Sequence, residues 1–190
     1  MSKHIPNIIT AVRILLLPFI YAFYLVEVIP YGKIIALAIY LLAAVTDFLD
    51  GYLARKYNAI SNIGKMLDPI ADKMLYYTGL FLIIVSNILP IWACAIIFFI
   101  NLIRDFAIDC LRMLAATKGV VLAANMFGKI KTTIAFIAVP WLMMLPCLPD
   151  TLSWLLVLQI IGYVLIALQT VCCLLSGLVY LIQNRKVLAS

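Results

Sequence analysis

Histidine is all but missing: His4 stands alone, so a site built on several imidazoles is excluded. The five cysteines, Cys94, Cys110, Cys147, Cys172 and Cys173, show no metal-ligand spacing and sit in apolar stretches. That argues against zinc and reads as buried, inert thiols. Charge is scarce too. Only 12% of the 190 residues are Asp, Glu, Lys or Arg, against 67% hydrophobic, a balance that excludes a soluble globular domain. No repeat, low-complexity run or linker divides the chain, so one domain over 1–190 is expected. No small-x-small cleavage site lies near Ala22 to Val28, and Glu27 and Pro30 close the first apolar run. It therefore reads as a retained span and not as a signal peptide.

What is present is long apolar runs. A helix needs about 20 apolar residues to cross a bilayer, and the pattern predicts six spans, near 14–30, 34–55, 63–86, 90–113, 129–147 and 154–182. Residues 1–13 are expected to lie along the interface before the first of them, with Pro6 suiting a helix start and Asn7 able to cap. The predicted fold class is all-α, an integral membrane bundle of six transmembrane helices with a short N-terminal interfacial helix. Of fourteen Lys and Arg, only Lys33 falls outside the loops and half-spans assigned to one side. Basic loops mark the cytoplasmic face, so both termini are expected there. The +6 net charge flanks spans and forms no soluble patch, which disfavours a nucleic-acid role.

The few acids are concentrated. Asp47, Asp50, Asp68 and Asp72, four of the chain's eight, lie within 26 residues whose flanks are apolar enough to be embedded. A carboxylate in hydrocarbon costs several kcal/mol and marks function by default. Asp47, Asp50, Gly51 and Ala54 follow i, i+3, i+4, i+7 spacing and share one helix face; Gly64, Asp68 and Asp72 share a face of the next span. At 1.5 Å per residue, Asp47 and Asp72 each lie about 13 Å from the cytoplasmic helix end, and Asp50 and Asp68 are shallower. Antiparallel neighbours would set Asp47 opposite Asp72 and Asp50 opposite Asp68. Such a ring of oxygens suits Mg²⁺, Ca²⁺ or Mn²⁺. Gly51, Ala54 and Gly64 would let a bulky ligand approach, although small residues also serve tight helix packing.

These residues resemble the signature of the CDP-alcohol phosphotransferases: D-x-x-D-G-x-x-A-R, then eight or nine residues, then G-x-x-x-D-x-x-x-D. Asp47, Asp50, Gly51, Ala54, Arg55, Gly64, Asp68 and Asp72 match every defined position. Beyond the signature, Pro6 to Arg13, Arg104 to Ile108 with Arg112, and Gly128 to Thr132 are similar to the phosphatidylglycerolphosphate synthase subgroup. Asp105 stands where that subgroup usually has Glu, and Asp109 where a small or neutral residue is usual. The resemblance implies a homodimeric enzyme with a pair of divalent cations, Mg²⁺ or Mn²⁺. The cations would be held by Asp47, Asp50 and Asp68, with Asp72 serving as ligand, as general base, or as both. It implies CDP-diacylglycerol as donor, bound by Asp50, Gly51, Ala54, Arg55 and Gly64, and glycerol 3-phosphate as acceptor, in a bacterial inner membrane.

A phosphate-bearing acceptor needs its own cationic pocket, and Arg104, Arg112, Lys129 and Lys131 are the candidates. Against this, Arg104 could form an internal salt bridge with Asp105, Asp109 or Asp68, and the two lysines could snorkel to headgroups. Asn7, Thr10 and Arg13 are candidates for closing the site from the N-terminal side; Lys65 and Lys73 read as structural or interfacial. Serine or an inositol phosphate is the alternative acceptor. An aromatic prenyltransferase would be longer and lack Gly51-x-x-Ala54-Arg55. A cation transporter would spread its acids along a pathway and break its helices near the midplane.

Overall fold

Residues 5–56, 62–120, 126–149 and 151–185 are described by a computed structural model, with side chains described at 10–46 and from 67 onward within those ranges. They form α1 (Ile5–Leu25), α2 (Gly32–Lys56), α3 (Asn62–Val85), α4 (Ile91–Thr117), α5 (Met126–Met144), a 3₁₀ turn (Leu145–Cys147) and α6 (Leu155–Gln183), and no strand occurs among the described residues. Residues 5–13 are not a separate interfacial element. They are the opening turns of α1, because nothing between Pro6 and Pro18 breaks the backbone ladder and Pro18 itself is carried inside the helix. A change from polar to apolar composition does not end a helix.

The turns follow their local chemistry. Tyr31 takes a left-handed φ of 59° just before Gly32, where a Cβ would collide with the Phe23 carbonyl. Asn87 (φ 54°) and Pro90 separate α3 from α4. After α4, Gly119 (φ 71°) lets the Val120 N–H reach the Ala115 carbonyl and the Gly119 N–H reach that of Ala116, closing the helix with a Schellman motif.

α1 lies against α2 and α3; α5 touches α2, α3 and α6; α4 rests on α3 and α6. Each helix buries one stripe. In α6 this is Gly162, Ile166, Gln169, Cys173, Ser176 and Tyr180, spaced at the helical period. Leu156, Val164, Leu168, Val171, Leu178 and Ile182 of the same helix are exposed. Polar Thr10, Arg13, Asn101, Asp105, Lys131, Gln169 and Ser176 are buried. This inside-out distribution is that of a protein solvated by lipid. Ile91–Thr117, Met126–Cys147 and Leu155–Gln183 are each long and apolar enough to cross a membrane, and Thr10–Leu25 and Gly32–Thr46 add shorter apolar stretches. The fold is an all-helical membrane bundle.

The bundle has two unlike ends. Towards the α1–α2 and α3–α4 turns the core is apolar, with Tyr24, Leu82, Ile83, Leu142, Met143 and Leu145. Close approach there depends on small residues: a Cβ on Gly79 would overlap Val139 Cγ1 and stand 2.9 Å from the Tyr40 hydroxyl. At mid-depth, Gln169 Nε2 donates to Asn101 Oδ1 and to the Tyr76 hydroxyl, both at 2.8 Å, tying α6 to α4 and α3. Beyond that tie the interior becomes ionic.

Candidate active site

Side chains of α1, α3, α4, α5 and α6 build the ionic end. On α1, Thr10 and Arg13 begin the buried stripe that continues through Leu17, Ile20 and Tyr24, so both face inward. On α3 they meet two acids one turn apart. Thr10 Oγ1 donates to Asp68 Oδ1 at 2.7 Å, and Arg13 Nη1 to Asp72 Oδ1 at 3.1 Å. Arg13 is 1% exposed and Asp72 47%, so the arginine is buried behind a carboxylate that stays open on its other side.

That open side faces a cleft of about 310 Å³ among α3, α4 and α5. Arg104, Asp105, Asp109 and Arg112 line it from one face of α4, at spacings that place them together along the helix. Asp105 is the hub. It accepts Arg104 Nη1 at 2.8 Å, Lys131 Nζ at 2.8 and 3.0 Å through its two oxygens, and the Tyr77 hydroxyl at 3.0 Å. Arg104 also donates from Nη2 to the Ser176 hydroxyl, and its side chain passes between Gly128 and Gly177, where a Cβ would stand 3.3 and 3.1 Å away. Lys73 pairs with Asp109 across α3 and α4. Arg112 turns to α6 and donates from Nε to the Tyr180 hydroxyl at 3.2 Å.

Of the residues singled out in the sequence, Asp72, Arg104, Arg112 and Lys131 line this one cleft. Lys129 does not: it is exposed, because a residue two positions from Lys131 points about 200° away around the helix. Nor does Lys131 snorkel; it is buried on Asp105 and lies 5.3 Å from the centre of the Tyr76 ring. The salt bridge weighed for Arg104 is present, and Arg104 reaches the cleft as well. Thr10 and Arg13 face the acids of α3. Lys73 has an ion-pair partner, in keeping with a structural part, yet it also borders the cleft.

Asp47, Asp50, Gly51, Ala54, Arg55, Gly64, Lys65 and Asn7 lie on helical backbone but outside the described side chains. Their facing across the bundle is therefore not part of the described geometry. Among the described residues no three potential metal ligands cluster. Tyr77, Ser176 and Tyr180 were not legible as site residues. Their one signal is the helical spacing of Gln169, Cys173, Ser176 and Tyr180 along the otherwise apolar α6.

The family model for CDP-alcohol phosphatidyltransferases matches residues 3–173. The chain belongs to this family. One relative is the CDP-diacylglycerol–glycerol-3-phosphate 3-phosphatidyltransferase of Bacillus subtilis, 38% identical over 152 residues, 74% of this chain and 77% of that protein. Proteins of the same name from Rickettsia felis and Shigella flexneri are 30% and 32% identical, each match covering 97% of both chains. The matched stretch of this CDP-alcohol phosphatidyltransferase takes in α1 to α5 and reaches α6 at Cys173, so it contains both acids of α3 and the whole α4 wall of the cleft.

Proposed function

We propose that this chain transfers the phosphatidyl group of CDP-diacylglycerol to the hydroxyl of glycerol 3-phosphate, giving phosphatidylglycerol phosphate and CMP. The observation that carries this reading is the cleft itself, where Asp72 borders the same space as Arg104, Arg112 and Lys131. An acceptor with a hydroxyl at one end and a phosphate at the other satisfies both. A phosphate-free acceptor such as serine would bring only its carboxylate to Arg112, the cleft cation that has no carboxylate partner among the described residues.

In this reading Asp72 takes the proton of the acceptor hydroxyl as its oxygen attacks the β-phosphorus. The bond from that phosphorus to the CMP oxygen breaks, and CMP leaves with the electron pair. Arg13, buried behind Asp72, holds the carboxylate in orientation. Arg55, with Asp50, Gly51, Ala54 and Gly64, forms the donor side, and Asn7 joins Thr10 and Arg13 in closing the site. Asp47, Asp50, Asp68 and Asp72 would hold a pair of Mg²⁺ or Mn²⁺ ions, to which all-oxygen donors are suited. Asp68 fits this, since its described hydrogen bond comes from a neutral hydroxyl and leaves the carboxylate its charge. When bound, such ions neutralise a pyrophosphate and stabilise the departing phosphate. The excess of Lys and Arg at the cleft end supports a bacterial inner membrane orientation with both termini and the cleft on the cytoplasmic side. A homodimer is the assembly that the family resemblance implies.

The test is CMP release by the purified protein supplied with CDP-diacylglycerol and, in turn, glycerol 3-phosphate, serine or an inositol phosphate. Turnover is expected with glycerol 3-phosphate, and an Asp68→Asn variant that stays monodisperse in detergent should lose more than about 100-fold, the upper end of what an outer-shell ligand partner costs. Turnover with serine and none with glycerol 3-phosphate would overturn the choice of acceptor.

A further inference from the structure

Lys73, Arg104, Arg112 and Lys131 all line the cleft, but they are not equivalent. Asp105 offsets Lys131 and Arg104, and Asp109 offsets Lys73. Among the described residues Arg112 has no carboxylate partner. Its Nε donates to the Tyr180 hydroxyl at 3.2 Å, and its guanidinium carbon lies 5.7 Å from the centre of that ring. Occupying Nε in this way leaves free the edge formed by Nη1 and Nη2, which can grip a phosphate with two parallel hydrogen bonds.

Tyr180 is well placed to fix that edge. It is 2% exposed and packed with Ile108 and Leu111, the α4 residues that precede Arg112 by one turn and by one position. Its ring therefore cannot swing without disturbing α4, and its hydroxyl is a stationary acceptor. We propose that Tyr180 is a positioning residue for the acceptor. It holds Arg112 with its Nη edge towards the cleft, so that α6 contributes to acceptor affinity without touching substrate. This rests on the reading of the cleft as the site of a phosphate-bearing acceptor.

A phosphate grip remote from the reacting hydroxyl acts equally on the bound ground state and the transition state, so its loss appears in KM and not in kcat. Tyr180→Phe keeps the ring between Ile108 and Leu111 and removes only the hydroxyl. In the purified full chain it is expected to raise KM for glycerol 3-phosphate about fivefold, as for one net hydrogen bond, with kcat and KM for CDP-diacylglycerol little changed. Arg112→Lys keeps the charge, lacks Nε, and should raise the same KM at least as much. Adding Tyr180→Phe to Arg112→Lys should change nothing further. An unchanged KM in Tyr180→Phe overturns the proposal. So does an equal effect of that change in both backgrounds, or a parallel rise in KM for CDP-diacylglycerol, since each is the mark of a merely structural contact. Should Tyr180→Phe not fold, Arg112→Lys reads the same bond from its other side, and an unaltered KM there overturns the proposal. A parent enzyme inactive with glycerol 3-phosphate would remove the functional reading and this proposal together, whereas an active parent with a silent Tyr180→Phe removes this one alone.

Discussion

One carboxylate, Asp105, holds together an ammonium on α5, a guanidinium on its own helix and a phenol on α3. Lys131 is 4% exposed, so removing its counter-charge strands a buried cation. Breaking a buried pair from one side costs about 3–5 kcal/mol. Asp105→Asn keeps the shape and loses the charge, and it is expected to lower thermal stability in detergent by roughly 3 kcal/mol. Asp105→Glu, which keeps the charge on a longer arm, should recover most of that. The melting temperatures of the two variants beside the parent are the measurement; equal melting of Asp105→Asn and parent would show that Lys131 finds its counter-charge elsewhere. Residues of this kind were half legible. Arg104, Arg112 and Lys131 stood out, with Lys129, because a phosphate-bearing acceptor needs cations to grip it. Asp105 appeared as a departure from the subgroup's usual Glu and as one of several partners open to Arg104, because sequence spacing does not say which anion a long side chain will choose. Tyr180 and Ser176 were hidden for the opposite reason: a hydroxyl in an apolar helix is ordinary, and only the fold shows what it touches.

At the scale of helices, packing at the apolar end turns on absent side chains. Gly79 lets α3 approach both α5 at Val139 and α2 at Tyr40. Gly79→Ala must separate those helices or displace Tyr40, and overpacking of this kind costs about 1–3 kcal/mol. Gly119→Ala is the contrast: nothing lies within 4 Å of its Cβ position, but φ is 71°. It should cost less, near 1 kcal/mol, through backbone strain alone. Melting curves that rank the two the other way would mean that the α3 packing yields more easily than the α4 cap. The helices themselves were readable to within a few residues at most ends, since apolar runs and the turns at Pro30, Pro90 and Pro146 set them. Where α1 begins was not. The polar residues before Ile14 suggested a separate segment, but a helix ends where its hydrogen bonds or its sterics fail, and between Pro6 and Pro18 neither does. The face-to-face arrangement expected of the acids on α2 and α3 concerns contacts between elements and has its described half only on α3, where Asp68 and Asp72 meet α1.

For the molecule as a whole, polarity is segregated along the bundle axis. Thr10, Asp68, Asp72, Lys73, Arg104, Arg112, Lys131 and Tyr180 gather at one end, and the apolar core around Leu82, Ile83, Leu142 and Met143 fills the other. Such a molecule in a bilayer must choose a direction, and its loops decide it. Lys118 and Arg185 lie at the cleft end, whereas Lys33 lies at the far end beside Glu27. If basic segments are retained on the cytoplasmic side, the expected direction has the cleft facing inward. The proposed chemistry asks for the same direction, because a phosphorylated, water-soluble acceptor cannot cross the hydrocarbon and must enter from the compartment that contains it. One measurement tests this direction. In a background with the five native cysteines replaced, Lys33→Cys in intact bacterial cells should react with a membrane-impermeant maleimide added outside. Lys118→Cys should stay unlabelled until the membrane is opened. If the pattern is reversed, the cleft faces outward, the acceptor must be sought among solutes of that side, and the transfer to glycerol 3-phosphate loses its source of substrate.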